Sequence, residues 1–451
     1  MRRKALAVVA VFAALAAVAS ASLRSPAVAV PQAVKAPVKG GALLAVVPGA
    51  RGPVLGHADK RALWIGRYSP RLRIFNPVAA WAYASDRERL VLATEAESGS
   101  TDPIPTIQFV HSFSVQRYGS TRLSDGHVAA LSWGDGYVNA VVQRWCCPAS
   151  TEIVTIDPTS QKIRSRQRLP NALVQSARVG STLVLLVGPS TGIGAASLVV
   201  VAPDGGIRST SLGQISAGTD APQEDGDVDF TRLHQNIPAL AVDPDTNRAF
   251  VVPGNGAAAA VSLGSLAVSY HDVAQPVSLF GRVHDWLEPK ARAKGLNGPI
   301  RTARWLGNGV LVVTGGDEAA FKDANGDPRM TWTPAGLKLI DTNSWASKVV
   351  DRGADSFTVD GGILLATGSR WDSRDEASAT GMGLAAYGLD GTRHLSVFGG
   401  RSVSVVLAFR ARAFVAAGSD HTMKVVDLAR GKLMKDRRAP LAQLLIGDGS
   451  T

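Results

Sequence analysis

Residues 151–163 read TEIVTIDPTSQKI, and residues 337–350 read LKLIDTNSWASKVV. Each is an apolar run, a polar turn opened by Asp, and a second run. Asp, Asn, Ser and Gly favour such turns because their side chains hydrogen-bond the local backbone or, for Gly, permit left-handed angles. The runs are short and rich in Val and Ile, which marks strands rather than helices. The same form returns as LVVVAPDGGIRS at 198–209, AVSLGSLAVSYH at 260–271, LAAYGLDGTRHLSVF at 384–398 and MKVVDLARGKLMK at 423–435. A weaker copy, HSFSVQRYGSTRL, lies at 111–123.

Reference positions 117, 157, 204, 264, 341, 390 and 427 are therefore separated by 40, 47, 60, 77, 49 and 37 residues. A propeller blade of four strands occupies about 40–50 residues. One such sheet cannot bury both its faces, so sheets stack radially and cover one another. The chain is predicted to be an all-β protein, a β-propeller of four-stranded blades. The turns count seven blades, with six or eight as neighbouring solutions. The strand that closes the ring is sought in 439–446 (APLAQLLI) or in 42–47. The two wide gaps hold an acidic stretch at 220–229 and the segment 282–300, read as insertions on one face. Helical periodicity is found only over 284–294, where Pro289 interrupts it.

Two stretches carry a family resemblance. Residues 417–432 (AGSDHTMKVVDLARGK) resemble a WD40-type blade, with Asp420 in the tight turn and Asp427 ending a strand; Val426 replaces the usual Trp. Residues 240–255 (LAVDPDTNRAFVVPGN) resemble the YVTN repeat of bacterial surface and periplasmic propellers, with Phe250 to Asn255 standing at the repeat's Tyr-Val-Thr-Asn. The resemblance implies a propeller of bacterial extracytoplasmic type. It does not imply one activity, because propellers host many.

The N-terminus points the same way. Arg2-Arg3-Lys4 precedes an uncharged run from Ala5 to Leu23, and Ala19-Ser20-Ala21 has the form of a cleavage site. Residues 1–21 are thus read as a signal peptide or, if uncleaved, an N-terminal anchor that would attach the protein to a membrane. Residues 22–41 form a Pro-rich basic linker, and 42–451 the propeller. The formal charge of +11 is concentrated at this end: Arg2, Arg3, Lys4, Arg24, Lys35, Lys39 and Arg51 precede the first acidic residue, Asp59. Without those seven cations the body carries only +4. Export removes nucleic acid from the expected partners, and the basic tail suits an anionic envelope.

Candidate site residues are few. Cys146 and Cys147 are the only cysteines. In an oxidising compartment they would form a strained vicinal disulfide, either stiffening a turn or offering a surface to a ligand; two free thiols are the alternative. Asp323, Asn325 and Asp327 open a calcium-type loop, and Asp225, Asp227 and Asp229 alternate along the acidic stretch. Calcium needs six or more oxygens, and both sets are incomplete. Pro328 and Pro334 occupy places that a full EF-hand loop gives to Gly and Glu, and solvated Asp-rich turns are the alternative reading. The motif Gly188-Pro189-Ser190-Thr191-Gly192 matches a nucleophile elbow, but a strand rather than a helix follows it. Three functions remain. The first is a non-catalytic propeller binding a protein, envelope or glycan ligand through its loop face. The second is a propeller enzyme, quinoprotein-like or acting on a polymer. The third is a cell-wall or surface-layer structural protein.

Overall fold

The computed structural model describes residues 44–47, 54–57, 72–73, 78–84, 88–96, 103–111, 116–134, 136–144, 148–220, 223–224, 227–228, 233–273, 296–322, 325, 328–372, 380–409, 411–417, 422–440 and 443–445. Residues 1–43, with the expected signal segment and linker, and residues 284–294, with the expected helical periodicity, lie outside the described residues. Every regular element among the described residues is a strand. No described helix is long and apolar enough to cross a membrane.

From residue 78 onward the strands form antiparallel sheets that are contiguous in sequence. They cover 78–122, 127–169, 171–220, 239–271, 296–351, 356–397 and 403–440. Each holds four strands in up-and-down order. The 171–220 sheet gains a fifth strand, His234–Asn236, at its edge. The 296–351 sheet gains Pro328–Pro334, which pairs with Val310–Lys322 and touches the next sheet through Thr331 opposite Asp372 and Trp332 opposite Trp371. A further four-stranded sheet joins the two ends of the chain. Leu44–Val47 pairs with Val54–His57 on one side and with Gln443–Leu445 on the other, with Leu44 opposite Leu445. Both stretches proposed for ring closure are used, paired with each other.

The seven sequence markers fall at or beside the turns between third and fourth strands. The closing sheet lacks that signature, because one of its four strands comes from the opposite end of the chain. Leu296–Gly307 is the first strand of its sheet, so residues 296–300 belong to the sheet and not to the insertion expected over 282–300.

The core lies between sheets. Val91, Phe109 and Ile107 of one sheet pack with Val128, Val142 and Val154 of the next. Val141 and Ile153 pack with Leu185 and Val199, and Leu198 and Val200 with Leu240 and Val251. Phe250 and Val252 meet Leu311 and Val313, Val312 and Leu339 meet Leu364 and Ala385, and Leu384 and Leu395 meet Ala413 and Val415. Each cluster therefore draws on two successive sheets. Alternation makes this obligatory, since adjacent residues of a strand point to opposite faces and both faces are covered. This stacking of four-stranded sheets on their neighbours is the β-propeller fold.

Local chemistry sets one rim. Asp157 accepts hydrogen bonds from the backbone N–H groups of Thr159 (2.8 Å) and Ser160 (3.1 Å), and Asp341 from those of Asn343 (2.8 Å) and Ser344 (3.3 Å). Asp204, Asp390 and Asp427 do the same for Gly206, Thr392 and Arg430. The Arg164 guanidinium, 2.7 Å away, together with these N–H donors holds the Asp157 carboxyl well below the usual carboxylate range. The opposite rim needs close backbone crossings. A Cβ on Gly315, whose φ is +136°, would stand 2.0 Å from the Ile300 carbonyl oxygen, and one on Gly368 would stand 2.0 Å from that of Gly353.

Candidate ligand-binding face

In an up-and-down sheet, connections after the first and third strands leave from one end, and those after the second and fourth from the other. The two ends of this molecule differ sharply. The first carries short turns, among them the Asp-capped ones. In the closing sheet the connection 58–71 follows the third strand and belongs to the first end; among the seven sheets that are contiguous in sequence, the second end carries the long insertions. The strand ends that flank 97–102, 145–147, 221–233, 274–295, 323–327 and 373–379 all belong to it. Two strand pairs also lengthen toward this end: Val310–Lys322 with Pro328–Pro334, and Ile363–Asp372 with Thr380–Gly388. Their edges meet at Trp332 and Trp371.

Polar clusters mark the same end. Glu95 receives the Val128 N–H at 2.7 Å and faces His127 Nδ1 at 3.1 Å. Glu152 is nearly buried and lies 3.5 Å from Arg144, 3.3 Å from Arg166 and 3.2 Å from the Ser124 hydroxyl. The Trp332 indole N–H donates to Asp355 Oδ2 at 2.8 Å, and the Ser369 N–H donates to the same oxygen at 3.0 Å. Burial pushes the Asp355 carboxyl up, against the pull of these two donors. Gly316 lies beneath the Trp332 ring, where a Cβ would come within 2.3 Å of it. Nearer the axis, Gln175 spans three sheets: its amide group donates to the Arg301 carbonyl, and its oxygen accepts the Leu240 N–H at 3.0 Å.

Two cavities open among the described residues. One, of about 240 Å³, is lined by the first strands of three successive sheets, with Trp81, Ala130 and Arg178 among its walls. The other, of about 230 Å³, lies between the 239–271 and 296–351 sheets and is bounded by Asn255, Arg301, Val313, Lys338 and Ile340. Arg301 is held by Asp317 at 2.7 Å and by the Gly316 carbonyl at 2.7 Å.

The expected site residues fare unevenly. Cys146 and Cys147 lie outside the described residues, as do Asp225, Asp229, Asp323 and Asp327. Asn325 is an exposed turn residue. Asp227 opens a two-residue strand that pairs with Gln223–Glu224; its side chain is outside the description. Among the described residues no group of three His, Cys, Asp or Glu side chains is placed to hold a metal ion. Ser190 sits in a tight turn between Thr182–Pro189 and Gly192–Val201. No helix follows it, so the elbow motif is a hairpin.

Sequence reasoning passed over Glu152, Arg301, Lys338 and Asp355. For Glu152, Arg301 and Lys338 the available signal was a charge within an apolar strand, as in Leu337-Lys338-Leu339-Ile340; Asp355 lies in the bend before Ser356–Asp360 and carries no such signal.

No protein-family model matches the chain, and no curated protein matches it. Solved structures do. The chain is similar to dihydro-heme d1 dehydrogenase NirN, solved in complex with DHE, at 10% identity and a TM-score of 0.52, over 94% of this chain and 79% of that one. It is also similar to BamB from Moraxella catarrhalis (8% identity, TM-score 0.41, 82% and 92% of the two chains). A third similar structure is Chaetomium thermophilum Sqt1 bound to the N-terminus of the ribosomal protein L10 (12%, 0.42, 80% and 86%). At such identities the likeness speaks to fold alone.

Proposed function

We propose that this chain is a non-catalytic, extracytoplasmic β-propeller that binds a protein partner on the end bearing its long connections. The carrying observation is the asymmetry of the two ends. Across the seven sheets that are contiguous in sequence, one end carries short turns, the Asp-capped ones among them, while the other carries the long insertions and the two lengthened strand pairs that meet at Trp332 and Trp371. Surface connections carried on a rigid scaffold are where binding residues concentrate. We read the ring as eight-bladed: seven blades contiguous in sequence and one built from both ends of the chain. The export reading adds the compartment, with 22–41 as a tether between leader or anchor and propeller.

Site-specific photocrosslinking tests the reading. A crosslinking residue at Asn325 reports on the long-connection end, and one at Ser160 on the capped-turn end; both positions are exposed. In the native envelope fraction, a discrete adduct is expected from position 325 and none from 160. Equal adducts from both positions, or recovery of the full chain in the cytoplasmic fraction, would refute it.

A further inference from the structure

The cavity between the 239–271 and 296–351 sheets contains a cation in a place that the fold reserves for apolar side chains. Lys338 stands opposite Val313, on the face of its sheet that carries Ile340, Leu311 and Val313 into the core shared with Phe250 and Val252. The same rung recurs in the other contiguous sheets. There Ala140 pairs with Val154, Leu185 with Val199, Val251 with Ala259, and Ala366 with Ala385. Only two of the remaining sheets put a polar residue at this rung, and both supply a partner. Gln108 donates to the Thr94 hydroxyl at 2.9 Å, and the Lys424 ammonium lies 5.7 Å from the centre of the Phe398 ring. Among the described residues the Lys338 side chain has no hydrogen bond and no ion pair.

Its surroundings make this costly. Burial and the neighbouring Arg301 both lower the Lys338 pKa, and Asp317 only partly offsets them. Asp317 is already committed to Arg301 at 2.7 Å. Among the described residues, two cations, Arg301 and Lys338, line the cavity, and Asp317, which is not one of its walls, is bonded to Arg301 and not to Lys338. Lys338 is half-buried, and a cation withdrawn from water without a partner is destabilising, so an anion that paired with it would be favoured. The remaining walls describe that partner. The lining is mixed: Val252, Val273, Val313 and Ile340 are apolar, while Arg301, Thr314 and Asn255 are polar, with Asn255 exposed at the edge. The volume of about 230 Å³ holds roughly seven or eight waters, far more than a carboxylate group alone requires.

We propose that this cavity binds a small organic carboxylate, its charged end on Lys338 and its aliphatic body against Val252, Val313 and Ile340. The cavity opens on the insertion-bearing end, beside Val273 and residues 253–256, and titration of the isolated chain with a small molecule tests it separately from the protein-partner reading. Lys338 supplies a charge-assisted hydrogen bond, and the Val252, Val313 and Ile340 side chains favour an anion with a hydrocarbon body over one without.

Titration calorimetry on the full chain tests this with three probes: hexanoate, 1-hexanol and inorganic phosphate. Saturable hexanoate binding is expected, with hexanol and phosphate each at least about tenfold weaker, the scale of one hydrogen bond to a charged group. Lys338→Met keeps the aliphatic stem and removes the charge. It is expected to weaken hexanoate by at least about tenfold while raising the melting temperature. That rise distinguishes loss of the site from loss of the fold; should the Met variant not fold, Lys338→Gln serves in its place. Absence of saturable hexanoate binding, equal binding of hexanol or phosphate, or undiminished affinity in the charge-free variant would overturn the proposal.

Discussion

Asn139 is a stringent test of how neighbouring blades are joined. It is fully buried on the second strand of the 127–169 sheet. Its amide group donates to the carbonyl oxygens of Ala202 (3.2 Å) and Pro203 (3.0 Å), in the third turn of the next sheet. Its oxygen accepts from the buried Thr155 hydroxyl at 2.8 Å. Asn139→Ala removes three neutral hydrogen bonds, each contributing about 1 kcal/mol net. The Ala202 and Pro203 carbonyls are half-buried and regain water; the Thr155 hydroxyl does not. The expected loss is about 3 kcal/mol. With a urea m-value of about 3 kcal/mol/M, at or above the upper end for small domains, the unfolding midpoint falls by about 1 M. Tryptophan fluorescence follows the transition locally, since Trp133 lies on the adjoining strand. Asn139→Asp sharpens the test. Its carboxylate still accepts from Thr155 but faces two carbonyl oxygens. Its folded pKa is therefore raised, and the variant should be less stable than Ala at pH 7 and recover on acidification. A midpoint shift below about 0.2 M for Ala, or an Asp variant as stable as the parent at pH 7, would refute the idea that this side chain joins the two blades.

Two further outcomes follow from the insertion-bearing end. Gly315→Ala puts a Cβ 2.0 Å from the Ile300 oxygen at a φ of +136°; strain and overpacking together should cost about 2–4 kcal/mol, read as a lower melting temperature with an unchanged far-ultraviolet spectrum. Asp355 has a folded pKa raised above its unfolded value by burial. The folded state therefore holds its proton more tightly, and stability from this group falls as pH rises from the unfolded value of 3.8 through the folded one. Asp355→Asn keeps an oxygen for Trp332 and Ser369 and should flatten that part of the melting-temperature profile; an unaltered slope would assign it to other carboxylates.

The strands and their turns were legible before any coordinates because their causes are local. Asp157, Asp204, Asp341, Asp390 and Asp427 bond backbone groups two or three residues away. The apolar runs between them need only alternate or fill. Spacing of such turns then sets the repeat, and the repeat implies blades. The count was less legible, because Leu44–Val47 and Gln443–Leu445 complete one sheet from opposite ends of the chain and no periodicity within a window registers that pairing.

The candidate sites depended on tertiary structure almost entirely. Gln175 reaches Arg301 across 126 positions, Asn139 reaches Pro203 across 64, and Trp332 reaches Asp355 across 23. Such partners are chosen by which sheet lies against which. Lys338 shows the division most plainly. Its sequence context marks it as a charge on an inward rung, which alone describes Lys424 equally well. Only the packed sheets place Phe398 beside one lysine and a cavity with a committed arginine beside the other, because the cost of a buried charge is decided by its neighbours in space and not by those along the chain.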